Sequence, residues 1–441
     1  MDNMQNITII GAGLSGPVMA SYLSNLGFEI DLFESRQDMR VIPQSAGRSI
    51  NLALSARGIN ALKDIGVFEK IKPSLLPMEG RMIHDKEGNK SLQMYGQAKH
   101  EVIYSVSRSK LNMILMDHSE NTGNVNIHFN HAVQGLDLEQ RNISFKEKTF
   151  SFGRLLGADG ASSMVRKAIN RKDPINFIKK KLDHGYKELT IPASSNEEFM
   201  MEQKALHIWP RGQFMLIALP NIDKSFTCTL FLPMVGDLSF GSIKTKNQVL
   251  EFFEEYFPDT IDLIPFLCEE YENNPTGKLA TVYCDRWHYS DIASIFGDAA
   301  HAIVPFFGQG MNASFQDCTF MNSLLERYKD NWGKVFSEYS RLQAPNGHAI
   351  ANMALENYIE MRDSVNDPKY RKRRELELNL EHKFWDRFVP RYSMVSFHQL
   401  PYSEVYRRGK IQLDLMDSFI KGNMTKNQLH NEIKQKLTPI R

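Results

Sequence analysis

The stretch Ile7-Thr8-Ile9-Ile10-Gly11-Ala12-Gly13-Leu14-Ser15-Gly16 constrains the fold of this chain more than any other. Its first four residues are apolar or β-branched and do not alternate, which fits a parallel strand covered on both faces. A Gly-x-Gly-x-x-Gly turn follows. Gly11 allows the tight turn, Gly13 lets a pyrophosphate approach the backbone, and Gly16 lets the next helix pack closely on the strand. The pattern predicts that helix over Leu14–Leu26, with Pro17 in its first turn and Gly27 as its stop. A second strand, Glu29–Phe33, leads to Glu34, eighteen positions past Gly16. The dinucleotide fingerprint places its ribose-binding acid at about that distance.

Composition bounds the rest. A chain of 441 residues is long enough for two or three domains with well-formed cores. The formal net charge of +1 gives no overall basic field for nucleic acid or an anionic membrane. Cys228, Cys268, Cys284 and Cys318 form no C-x-x-C pair and have no metal-ligand spacing, so reduced thiols and no metal are expected. Residues 7–23 are fairly apolar, but the first cation is Arg36, so a secretory leader is not expected. No run of eighteen apolar residues exists to span a bilayer.

Further along, Ser55 is placed to cap a helix over Ala56–Ile65. Residues Gly80–Asp85 and Ser91–Gly96 read as a hairpin joined by Lys86-Glu87-Gly88-Asn89. A strand from Ile103 enters a helix near Ser109, and Asn126–Phe129 is another strand. Between residues 171 and 281 the apolar, aromatic runs Ala205–Trp209, Gln213–Leu219 and Ser225–Leu232 suggest an antiparallel meander, followed by a short helix Glu251–Phe257. The strand Ile292–Phe296 returns the chain to the first domain, a helix follows over Ala313–Tyr328, and the remainder is helical. The expected fold is α/β: a Rossmann-like nucleotide-binding domain (1–75, 101–170 and 282–330), an inserted antiparallel substrate domain (76–100 and 171–281) and a helical region (331–441). Arg371-Lys372-Arg373-Arg374 reads as a solvated helical face.

Three glycine-bearing turns stand at predicted strand ends: Gly11–Gly16, Gly157–Gly160 and Gly297-Asp298. Ligands of open α/β sheets bind at the carboxyl ends of strands. Asp159 and Asp298 suit sugar or ribityl hydroxyls, and a helix start at Gly310-Met311-Asn312 suits negative charge on a reduced ring. FAD accounts for all three turns, whereas NAD leaves the later two without a role.

This three-part pattern resembles the class A flavoprotein monooxygenases, the flavin-dependent aromatic hydroxylases, over nearly the whole chain. Segments that carry the likeness include residues 47–55, Arg81-Met82-Ile83-His84, residues 104–108, Leu206–Arg211, residues 224–231, Val304–Asn312 and Asn357–Arg362. Within the group they are similar to the members that act on L-kynurenine. The resemblance implies that NADPH reduces bound FAD, that O2 adds to give a flavin hydroperoxide, and that one oxygen passes to the kynurenine ring. It implies that Arg81 and Tyr95 hold the substrate carboxylate, that Asn357 and Tyr392 are further substrate contacts, and that Ile217, Leu219, Phe231 and Phe306 are pocket walls. On the flavin side it implies Ser15, Phe33, Glu34, Ser35, Arg36, Ala53, Arg108, Val133, Asp298, Met311 and Asn312.

A planar bidentate cation suits an amino-acid carboxylate better than a lysine does. The aniline amino group already activates the ring, so no catalytic base is assigned. His301 is read as structural, and Asn357 alone could cap a helix that follows it. Two other readings stay open: the same chemistry on another small aromatic acid, and a non-catalytic flavin-binding protein. Some kynurenine hydroxylases, notably mitochondrial ones, carry a hydrophobic anchor after the catalytic region. This sequence ends at Arg441 with none, and a cytosolic location is expected.

Overall fold

Thr8 and its neighbours Ile7 and Ile9 are fully buried, because their strand, Asn6–Ile10, sits near the middle of a six-stranded sheet. The sheet runs His288–Tyr289, Ala293–Ile295, Arg154–Gly157, Asn6–Ile10, Glu29–Phe33, Val125–His128. All neighbours are parallel except the edge strand His288–Tyr289. The structure is a computed structural model that describes residues 6–42, 51–96, 98, 100–146, 148–364 and 368–440. The quoted segment Gly47–Ile50 lies outside the described residues.

At the carboxyl end of the central strand, Gly11 adopts φ +106° and donates its N–H to Phe33 O at 2.8 Å. Only glycine takes that conformation without strain. The helix Ser15–Asn25 starts immediately, and a Cβ added at Gly16 would stand 2.0 Å from Gly11 O. The helix ends at Gly27, φ +88°.

A seven-stranded sheet carries the second half of the molecule, in the order Gly277–Cys284, Phe177–Ile191, Phe226–Pro233, Met215–Pro220, Ala205–Pro210, Gly80–His84, Lys90–Met94. Every pairing is antiparallel except Ala205–Pro210 with Gly80–His84, which is parallel. Strand alternation places Arg81 and Ile83 on one face and Met82 and His84 on the other. Two long helices, Gly310–Tyr328 and Trp332–Ile359, pack against each other, and four more follow from Pro368 to Lys436. Arg57 ties these last helices to the nucleotide half: its guanidinium donates to Val395 O at 3.0 Å and Leu400 O at 2.6 Å and lies 4.0 Å from the Tyr402 ring centroid. No helix among the described residues is long and apolar enough to cross a membrane.

Several local expectations change. Ser55 does precede the helix Ala56–Asp64, but its side chain makes no capping bond; its N–H is taken instead by Asn312 Oδ1 at 2.9 Å. The long strand Phe177–Ile191 carries no strand pattern in the sequence, because its first half is lysine-rich and exposed. The helix expected at Glu251 begins at Lys246, where Thr245 and Gln248 form a capping box. Asn357 lies inside Trp332–Ile359, not before it, so it caps nothing. In the basic run, Arg373 pairs with Asp417 on another helix at 2.8 Å and Arg374 pairs with Glu377 one turn along its own helix, so two of its cations are held in ion pairs.

Gly16→Ala should lower stability by about 1–3 kcal/mol, because its methyl group meets backbone that cannot yield. Thermal unfolding of the variant measures this.

Candidate active site

A cavity of about 620 Å³ opens at the carboxyl ends of the parallel strands and extends to the face of the seven-stranded sheet that bears Arg81. Its nucleotide end is lined by Gly11, Gly13, Ser15, Phe33, Glu34, Ser35 and Arg36. Glu34 is fixed there by its neighbours. Its Oε2 accepts the Ala12 N–H at 3.0 Å, and its Oε1 accepts Arg36 N at 2.9 Å and Arg36 Nε at 2.8 Å. Burial pushes this carboxyl up, but the hydrogen bonds and charge of Arg36 outweigh it and hold the group below its ordinary value. Glu34 is therefore an ionised acceptor at neutral pH.

The middle of the cavity gathers Ala53, Arg108, Val133, Asp159, Asp298, Gly310 and Met311 from six separate stretches of chain. Asp159 Oδ2 accepts the N–H groups of Met164 at 2.6 Å and Val165 at 3.2 Å. Its Oδ1 is buried and has no hydrogen-bond partner among the described residues. Burial pushes this carboxyl up. Helices Ser15–Asn25 and Gly310–Tyr328 both begin at the cavity with no side-chain cap, which leaves backbone N–H groups and the positive end of each helix dipole facing it.

Two residues named from sequence stand behind this wall. Gly16 packs on Gly11, and Asn312 is fully buried. Asn312 donates to Ala53 O at 2.8 Å and Gly308 O at 2.9 Å, which joins the Ala53 strand to the helix start. His301 also lies behind it, buried against Asp317, which accepts the Gly297 N–H at 2.9 Å; the charge of Asp317 raises the imidazole against the opposing effect of burial. The pair fixes the Gly297 turn.

At the far end, Ile217, Leu219, Phe231 and Phe306 form an apolar slot. Phe306 lies 4.8 Å from Phe231 and stacks at 3.9 Å on Tyr358 behind it. The Arg81 guanidinium sits 4.6 Å from the Tyr392 ring centroid and 5.8 Å from that of Tyr95, and the two rings stack at 4.9 Å. The Tyr95 hydroxyl is buried without a hydrogen-bond partner among the described residues, and burial pushes its pKa well up, so it stays a neutral donor. Arg81 and Tyr392 also line a second cavity of about 300 Å³, and it is this one that Tyr95 and Asn357 reach. Asn357 donates to Phe306 O at 2.6 Å and so sets the backbone of the slot.

The FAD binding domain family matches residues 4–340. The kynurenine 3-monooxygenase of Stenotrophomonas maltophilia (strain K279a) is 44% identical over 425 residues, covering 95% of this chain and 93% of that protein. That of Dictyostelium discoideum is 40% identical over 439 residues, covering 96% and 95%. The chain belongs to the kynurenine 3-monooxygenase family. Among solved structures, the tetrameric form of 2-methyl-3-hydroxypyridine-5-carboxylic acid oxygenase matches with TM-score 0.67 at 18% identity, covering 82% of this chain and 94% of that one. The tetracycline destructase Tet(51) matches at 0.62 and 20%, covering 90% and 99%. These two show the fold.

The residues of this kynurenine 3-monooxygenase family member suit FAD. An orphaned Asp159 oxygen awaits a hydroxyl, two uncapped helix starts await negative charge, and a Cβ added at Gly13 meets nothing within 4 Å. Sequence reasoning missed Met78, Leu206 and Thr229 in the cavity wall, and Arg391 and Glu356 in the second cavity. Leu206 and Thr229 stand inside quoted segments but carry no chemistry that marks them as wall residues, and for Met78, Arg391 and Glu356 only the fold brings them in.

Gly13→Ala should leave the stability of the FAD-free protein unchanged but weaken FAD binding, since the added methyl group projects into the space left for the pyrophosphate. Thermal unfolding and flavin titration, run side by side, measure the two effects.

Proposed function

We propose that this chain hydroxylates the aromatic ring of L-kynurenine to 3-hydroxykynurenine, with FAD bound along the glycine turns and NADPH and O2 as co-substrates. One observation carries the reading: a guanidinium framed by two tyrosines stands opposite an apolar slot, and both open on the FAD cavity. FAD, when bound, takes electrons from NADPH and supplies an activated oxygen atom.

The chain's own work is recognition and shelter. Arg81 pairs with the substrate carboxylate through two parallel N–H donors, and the Tyr95 hydroxyl adds a third donor. Tyr392 stacks against that guanidinium and holds its plane. Asn357 acts through Phe306, keeping the slot wall in place beside the ring. Ile217, Leu219, Phe231 and Phe306 exclude water from the reacting edge, which protects a reactive oxygen species from wasteful breakdown. Glu34 binds ribose hydroxyls, Asp159 and Asp298 bind sugar or ribityl hydroxyls, and the helix starting at Gly310 stabilises negative charge on the reduced ring. The aniline amino group of kynurenine donates electrons to the ring, so no side chain has to remove a proton first. The four cysteines are free thiols, three of them buried, which accords with a cytoplasmic site of action.

Purified, FAD-loaded protein should oxidise NADPH faster with kynurenine present and release 3-hydroxykynurenine. Product from a hydroxybenzoate and none from kynurenine would move the assignment to another aromatic acid. Arg81→Ala should raise KM for kynurenine roughly 10- to 100-fold, because it removes a charged hydrogen bond in a half-buried site. Arg81→Lys should recover part of that, and an unchanged KM would mean the carboxylate binds elsewhere.

A further inference from the structure

The strand that presents Arg81 joins its sheet through a parallel pairing with Ala205–Pro210, where Arg81 stands opposite Leu206 and Met82 opposite His207. On the face away from the cavity, two imidazoles meet across this joint. His84 Nε2 lies 2.8 Å from His207 Nδ1. Each histidine is 1% exposed. The outer nitrogens are also engaged: His84 Nδ1 is 3.2 Å from Asp259 Oδ2, and His207 Nε2 is 2.8 Å from Glu202 O.

Counting hydrogens gives the charge of the pair. A backbone carbonyl only accepts, so His207 Nε2 carries a hydrogen. Asp259 also takes a hydrogen bond from Trp209 Nε1 at 2.9 Å, and although burial pushes its carboxyl up, the bonds from His84 and Trp209 hold it below its ordinary value. An ionised carboxylate only accepts, so His84 Nδ1 carries a hydrogen as well. The contact between the rings needs one more. Three hydrogens on two imidazoles leave one net positive charge, which Asp259 balances. A neutral pair has only two. It must set two lone pairs against each other at the inner contact or vacate an outer one.

We propose that His84 and His207 are positioning residues that share a single proton, and that this proton locks the register of the strand bearing Arg81. The role rests on the reading of Arg81 as the anchor of the substrate carboxylate. A slip of one residue along a strand turns every side chain to the opposite face, and here it would take Arg81 out of the cavity. The bond between the histidines forms only in the observed register, and it joins segments more than a hundred residues apart. The ionisable groups around the pair are Asp259 and Lys90, with Arg211 and its own neighbours Asp85 and Glu87 at the same strand end. Arg211 braces the same strand end, donating to His84 O at 3.0 Å and to Asp85 O at 3.2 Å. Burial holds the His207 imidazole down, to about 4, with the charges of His84 and Lys90 acting the same way, so the pair takes no second extra proton.

The test uses the FAD-loaded full chain with isotopically labelled histidine. Nuclear magnetic resonance at neutral pH should find three ring N–H hydrogens on His84 and His207 together; finding two would overturn the shared proton, whatever the substrate is. In steady-state assays His207→Leu, which removes the partner of His84 Nε2, should raise KM for kynurenine about tenfold while kcat holds. His207→Asn keeps a neutral donor in the place of Nδ1, so its KM should stay near the wild-type value. A His207→Leu KM equal to the wild-type one, or a His207→Asn KM that rises as far as that of His207→Leu, would overturn the positioning role. Failure of the wild-type enzyme to turn over kynurenine at all would instead overturn the reading of Arg81, and the hydrogen count would still stand or fall on its own.

Discussion

The close approach of the helix Ser15–Asn25 to the Gly11 carbonyl is the contact on which the rest of the molecule depends. It is possible only because residue 16 has no side chain. That contact sets where the first helix begins, and so where its free N–H groups point. The central strand of the six-stranded sheet ends at the same place, beside Glu34 and Asp159 at the ends of its two neighbours. A site for a long, doubly charged cofactor is thus a by-product of how one helix packs on one strand, and the later turns at Asp159 and Gly297 extend it.

The substrate end is built on different physics. The six-stranded sheet supplies backbone donors and helix dipoles, whereas the seven-stranded sheet supplies side chains on a pleated face. Arg81 and Tyr392 stand between a large cavity and a small one, and no single element owns the site. Arg81 comes from a hairpin, Tyr392 from a short helix near the end of the chain, and Phe306 from the turn after the last strand of the nucleotide sheet. Recognition of the amino-acid head therefore requires that all three layers be docked. The histidine pair behind Arg81 and the Asn357 bond to Phe306 O show how that docking is held, with polar groups deep inside a mainly apolar core.

The nucleotide half could be read from the sequence because its determinants are local: a strand, three glycines and an acid within thirty residues. The apolar strands of the meander could be read for the same reason, through their apolar, β-branched and aromatic content and the turns between them. The strand Phe177–Ile191 could not, since Lys179, Lys180 and Lys181 mask its pattern and its first half is a strand only through pairing with Gly277–Cys284. A cap at Asn357 is an open alternative in the sequence because a polar residue near a helix end looks alike whether the helix is starting or finishing. The engagement of Arg373 is not legible locally, because its partner Asp417 lies on a helix whose packing no local pattern states. Residues 84, 202, 207 and 259 carry no joint motif; the hydrogen-bonded chain they form exists only once two distant strands lie side by side.

Arg57 reaches across to the tail of the chain by way of main-chain oxygens, those of Val395 and Leu400. Such acceptors are present whatever residues occupy positions 395 and 400. Those two hydrogen bonds therefore follow the path of the tail's backbone, while the Tyr402 ring under the guanidinium is the part of the tether that depends on a side chain.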